Sequence, residues 1–87
     1  MDLGKLKIEY KRDGNTVQIF NSPTVCSLVI NGRVADTYNG MVATKFILEG
    51  TIDQNGEQII VAALMGHLFM ELYYGNERVA KKFMGLG

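Results

Sequence analysis

Hydrophobic and polar residues alternate along most of this chain, and glycine-containing dipeptides interrupt the alternation. From Lys5 to Lys11, Leu6, Ile8 and Tyr10 fall on one face, and Lys5, Lys7, Glu9 and Lys11 on the other. A period of two is that of a half-buried strand. Asp13-Gly14 follows, then Thr16-Val17-Gln18-Ile19-Phe20. A two-residue loop there sets Tyr10 opposite Val17 and Ile8 opposite Ile19, so both apolar sets share a face. Asn31-Gly32, Asn39-Gly40, Asn55-Gly56 and Gly75-Asn76 read the same way. Such loops need positive φ at one or both central residues, which Gly, Asn and Asp tolerate and β-branched residues do not.

Pro23, the only proline, cannot donate to a ladder and marks a loop or a strand start. Thr24 to Ile30 is a third strand. The Asn31-Gly32 turn pairs Val29 with Val34, Leu28 with Ala35 and Val25 with Tyr38. Asn39-Gly40 predicts a tight turn into a strand over 42–52, with Val42, Phe46, Leu48 and Ile52 on one face. Gly50 inside it marks a bulge or a bend. Asn55-Gly56 pairs Ile52 with Ile59, Gly50 with Val61, Leu48 with Ala63 and Phe46 with Met65. After Gly66, Leu68, Met70, Leu72 and Tyr74 share a side, and Gly75-Asn76 sets Leu72 opposite Val79 and Leu68 opposite Phe83.

A helix through 59–72 is the competing reading, since Ala62, Ala63, Leu64 and Met65 are good helix formers. The β-branched start of the segment and Gly66 argue for strands. The expected fold is all-β: about eight antiparallel strands in a hairpin-rich meander, a β-sandwich or flattened barrel, as one small domain over residues 1–87. Residues 28–35 also echo 73–80, with Arg-Val-Ala leading each return strand. Shared turn chemistry accounts for that echo without duplication.

Net charge is +0, from nine basic and nine acidic residues. That gives no long-range pull toward nucleic acid or anionic membrane and little repulsion between copies. Lys5, Lys7, Lys11 and Arg12, with Lys81 and Lys82 at the far end of the chain, are the candidate basic patch. Glu9 among them makes a solvated strand face the plainer reading, and nucleic acid is not the expected partner. No apolar run approaches the length of a membrane helix. Met1 to Lys5 lack the apolar run of a signal peptide, so a cytoplasmic protein is expected.

No catalytic constellation stands out, and no enzyme activity, cofactor or metal is expected. His67 is the only histidine and Cys26 the only cysteine, too few for a closed zinc site. Cys26 lies in an apolar strand, where an inert buried thiol is the ordinary outcome. Asp36 interrupts an apolar-leaning face, and an edge-strand charge is its commoner role. His67 and Asp36 are the candidate polar site, workable only beside a pocket. No phosphate-cradling glycine pattern is present.

The run from Ile59 to Met65 is apolar on both faces, as in a strand covered on both sides or facing a partner, and the excess of apolar positions continues to Tyr74. Ile60, Ala62, Leu64, Phe69 and Tyr73 are the candidate interface, and a second copy or another protein the expected partner. A small-ligand or single-strand nucleic-acid binding barrel is the alternative. The strand Thr16 to Phe20, the hairpin from Leu28 to Val34 and the hairpin from Glu71 to Val79 resemble the β-sandwich domain of the Fas apoptotic inhibitory molecule family. That family often carries tryptophans, and this chain has none. The resemblance implies two packed antiparallel sheets in a non-enzymatic interaction domain, with no catalytic residue and no particular partner.

Overall fold

The computed structural model describes residues 3–40 and 45–83. All of its regular structure is strand: β1 Lys5–Arg12, β2 Asn15–Asn21, β3 Val25–Ile30, β4 Arg33–Asn39, β5 Phe46–Gln54, β6 Glu57–Met65, β7 Phe69–Tyr74 and β8 Glu77–Phe83. They form two four-stranded antiparallel meanders, β1-β2-β3-β4 and β5-β6-β7-β8, that pack as a sandwich and do not close into a barrel. The segment 59–72 is strand, turn, strand, so the helical reading fails there.

Turn chemistry makes the hairpins. Asp13-Gly14, Asn31-Gly32 and Asn55-Gly56 have positive φ at both residues, and Gly75 alone does in the fourth. Those are the sign patterns of the I′ and II′ turns, whose twist matches that of flanking strands. The predicted pairs Tyr10–Val17 and Ile8–Ile19 form, as do all four predicted between β5 and β6.

Asn39-Gly40 does not turn the chain into a hairpin: β4 and β5 lie in different sheets. Gly40 N–H instead donates to the Thr24 carbonyl at 3.0 Å, which extends the β3–β4 pairing past the end of β4. Val42, expected on the β5 face, lies outside the described residues.

Two pairing errors share one cause. Leu28 faces Asp36 instead of Ala35, and Val25 faces Asn39 instead of Tyr38, because a bulge intervenes between Leu28 and Val29. Leu72 likewise faces Ala80, and Phe69 in place of Leu68 faces Phe83, after a bulge between Leu72 and Tyr73. A third bulge between Leu6 and Ile8 takes Leu6 off the inner face and leaves it exposed.

The two bulges in β3–β4 and β7–β8 belong to a repeat. Val17–Ile30, Ile19–Leu28 and Asn21–Cys26 recur as Val61–Tyr74, Ala63–Leu72 and Met65–Met70, each shifted by 44 residues (17 to 61, 30 to 74). The pairs after the bulge recur with the same shift, Val29–Val34 as Tyr73–Arg78. The sequence echo is one residue out of this register, since Arg33 corresponds to Glu77. The β5–β6 hairpin is longer than β1–β2 by the two pairs Asp53–Gln58 and Gln54–Glu57.

The inner faces supply one core. Ile8, Val17, Ile19, Cys26, Leu28 and Ile30 of the first sheet meet Leu48, Ile52, Val61, Ala63, Met65, Met70, Leu72 and Tyr74 of the second. Met65 and Met70 are therefore core filler. Gly50 pairs with Val61 without a bulge. Its role is close approach of the sheets: a Cβ there would lie 2.7 Å from both Ala35 Cβ and Ile30 Cδ1. The sheets meet at two open edges, β4 beside β5 and β1 beside β8.

Candidate functional site

Because inner positions alternate with outer ones, burying Val61, Ala63 and Met65 turns Ile60, Ala62 and Leu64 outward. Burying Met70, Leu72 and Tyr74 turns out Phe69, Glu71 and Tyr73. All five candidate interface residues therefore share the outer face of the second sheet. Ala62 lies opposite Tyr73 and Leu64 opposite Glu71. Ile60 is 54% exposed and Phe69 40%. The same face gains two residues that sequence reasoning passed over, Ile47 and Phe83, both more than half exposed. Ile47 was legible, since burial of Leu48 sends its neighbour outward; Phe83 was obscured by the bulge.

The repeat provides an internal control. At positions equivalent to Ile60, Ala62 and Leu64, the first sheet carries Thr16, Gln18 and Phe20. Gln18 lies across its sheet and donates to Glu9 Oε2 at 2.8 Å. Ser27, at the position of Glu71, is buried under this cover and within 3.5 Å of Thr37 Oγ1. At two of the three equivalent positions the first sheet is polar where the second is apolar, and at the third Phe20 matches Leu64.

At its β6–β7 end the apolar face runs into an open cleft of ≈ 850 Å³, walled by Ile47, Leu64, Leu68 and Phe69, with Lys45 and His67 among its rim. Lys81 Nζ sits 4.3 Å from the centre of the Phe69 ring, an arrangement that attracts the cation to the ring face. Arg78 holds Glu71 at 3.0 Å on the same face.

The polar candidates do other things. Asp36 on β4 is a structural tie: Oδ1 accepts from Thr37 N–H at 2.9 Å and Oδ2 from Glu49 N–H at 3.0 Å. His67 is exposed in the turn between β6 and β7, and no described contact joins it to Asp36. Burial pushes the Cys26 thiol up to about 11, so it stays protonated and poorly nucleophilic near neutral pH. Among the described residues no group of His, Cys, Asp and Glu is placed to hold a metal ion, and no helix is long and apolar enough to cross a membrane.

Fold and surface together define a class: a small antiparallel two-sheet β domain with one apolar outer sheet. Comparison with known proteins finds no family model, no curated protein and no solved structure that matches the chain.

Proposed function

We propose that this chain is a non-catalytic assembly module that pairs with a second copy of itself through the outer face of β5–β8. The observation that carries this reading is the difference between the repeats. Thr16 and Gln18 clothe the first sheet where Ile60 and Ala62 leave the second apolar. The fold tolerates polar residues at those positions, so the apolar ones answer a demand other than folding. A second copy is favoured over another partner because net charge is zero and copies do not repel one another. The reading agrees with the non-enzymatic interaction domain implied by the resemblance to the Fas apoptotic inhibitory molecule family, and takes no pathway role from it.

Analytical ultracentrifugation across a wide concentration range tests the proposal. The wild-type chain is expected to sediment as a concentration-dependent dimer. The double variant Ile60→Thr, Ala62→Gln, which copies the first sheet's residues onto the second, is expected to be a monomer with an unchanged circular dichroism spectrum. A wild-type chain that is monomeric throughout overturns the reading.

A further inference from the structure

We propose that the open edge formed by β1 and β8 is a binding site for single-stranded nucleic acid, with lysines holding phosphates and Phe83 stacking on a base. This goes beyond self-association and centres on the β1–β8 edge, sharing Phe83 with the margin of the apolar face.

Net charge zero conceals a strong segregation. Of the nine Lys and Arg residues, four lie on β1 (Lys5, Lys7, Lys11, Arg12) and three on β8 (Arg78, Lys81, Lys82). The two strands carry only two carboxylates, Glu9 and Glu77. They are far apart in sequence, and the fold lays them side by side with opposite direction. Arg12 meets Glu77 at one end, at 3.2 Å. At the other, Lys82 Nζ donates to the Lys7 carbonyl at 3.1 Å.

This arrangement sorts the charges again along the edge. Glu77 is engaged by Arg12, and Glu9 by Gln18 and, at 4.0 Å, Lys11. Glu71, which faces Lys81 in the ladder, is held by Arg78. Lys5, Lys7, Lys81 and Lys82 collect at the far end, and none has an ion pair among the described residues. Beside Lys5 and Lys7 a recess is lined by Gly4, Asn21, Ser22 and Pro23.

Aromatic surface lies within the same cluster. Phe83, next to Lys82, is 60% exposed, and its ring centre is 5.4 Å from that of Phe69, over which Lys81 sits. Cations without a carboxylate partner among the described residues, beside an exposed ring, match a polymer with a phosphate backbone and unpaired flat bases. Stacking on an aromatic ring is tolerant of base identity, and lysines track the backbone. A duplex keeps its bases stacked internally and offers Phe83 no face. Lys81 and Lys82 are remote from the Lys5–Arg12 stretch in sequence, and the net charge averages over the segregation.

The test is titration of a labelled oligothymidylate into the full chain at several salt concentrations. Single strands give a slope of about −0.7 per phosphate contact, so four lysine contacts predict roughly −3, an affinity loss of about fifty-fold between roughly 50 and 200 mM salt. Lys5→Gln with Lys7→Gln is expected to halve the slope. Phe83→Leu, which keeps an apolar side chain without a π-face, is expected to weaken binding about ten-fold. Because the chain has no tryptophan, Phe83→Trp supplies a single reporter, and its fluorescence is expected to be quenched by the oligonucleotide. Ile60→Thr with Ala62→Gln is expected to retain binding, which separates nucleic-acid binding from pairing through Ile60 and Ala62. Absence of binding at low salt overturns the proposal. So does equal affinity for duplex with Phe83→Leu unaffected, or binding to phosphatidylserine vesicles that the oligonucleotide does not compete.

Discussion

The carboxylate of Asp36 on β4 grips the backbone of Glu49 on β5: Oδ2 accepts the Glu49 N–H at 3.0 Å, while Oδ1 accepts the Thr37 N–H at 2.9 Å. No ladder joins these strands, so the bond is a polar tie across one open edge of the sandwich. Lys82 makes the counterpart across the other edge, to the carbonyl of Lys7. Replacing Asp36 with Ala removes an acceptor from two backbone donors. The expected cost is about 1–2 kcal/mol, toward the low end for hydrogen bonds to a charged group because both bonds are exposed. Asp36→Asn keeps an acceptor oxygen for one donor and is expected to cost less. Urea denaturation measures both, with a lowered midpoint and an unchanged slope as the expected result.

Gly50 has a steric reason to be glycine. A methyl group there meets the Ala35 methyl, so Gly50→Ala is expected to cost about 1–3 kcal/mol, as overpacking does. Ala35→Gly in the same chain is expected to recover part of that loss. A double-mutant cycle on denaturation midpoints gives the coupling. Additive effects would mean that the sheets separate freely at this point.

The Cys26 thiol makes stability depend on alkaline pH. In the unfolded chain it ionises near 9.0, while burial in the fold pushes it up to about 11. The folded state therefore keeps a proton that the unfolded chain releases. Stability from this source is whole below pH 9 and is lost as pH rises through the folded value. The loss is of the order of 2–3 kcal/mol. Denaturation midpoints at about pH 8 and about pH 10.5, compared between wild type and Cys26→Ala, isolate the effect from other titrating groups. Alkylation of the native thiol at pH 8 is expected to be slow, and fast once the chain is unfolded.

Leu28 and Leu72 occupy equivalent positions in the two halves, and both are fully buried. Truncation of either to Ala is expected to cost about 2–5 kcal/mol, with both variants unfolding in a single transition. A biphasic transition in either would show that the meanders unfold separately.

The fold was legible because it is written in turns. Each of the hairpin dipeptides with positive φ is Asp-Gly, Asn-Gly or Gly-Asn, and the register follows from loop length. What escaped was anything that depends on a bulge. Ala35 and Val79, the residues passed over in the β3–β4 and β7–β8 pairings, are ordinary strand residues, and nothing in their chemistry announces an extra position. Asn39-Gly40 misled for the converse reason: the dipeptide permits a turn, and pairing with Thr24 kept the strand straight. The shared outward face of Ile60, Ala62, Leu64, Phe69 and Tyr73 was legible from alternation alone, since Ile60, Ala62 and Leu64 alternate with the buried Val61 and Ala63. The basic residues of the β1–β8 edge were legible as a candidate patch, but their side-by-side placement was not, because it joins strands from opposite ends of the chain. Asp36 and His67 stood out only as residue types, and side-chain geometry gave them separate places.

Two copies of one strand plan, facing each other, have an unequal freedom to vary. The sides that touch must fit together, so a change in one meander restricts the other. The sides that look away answer only to whatever they meet in solution. A single short polypeptide can in this way present two unrelated surfaces on one scaffold, each altered without disturbing the other.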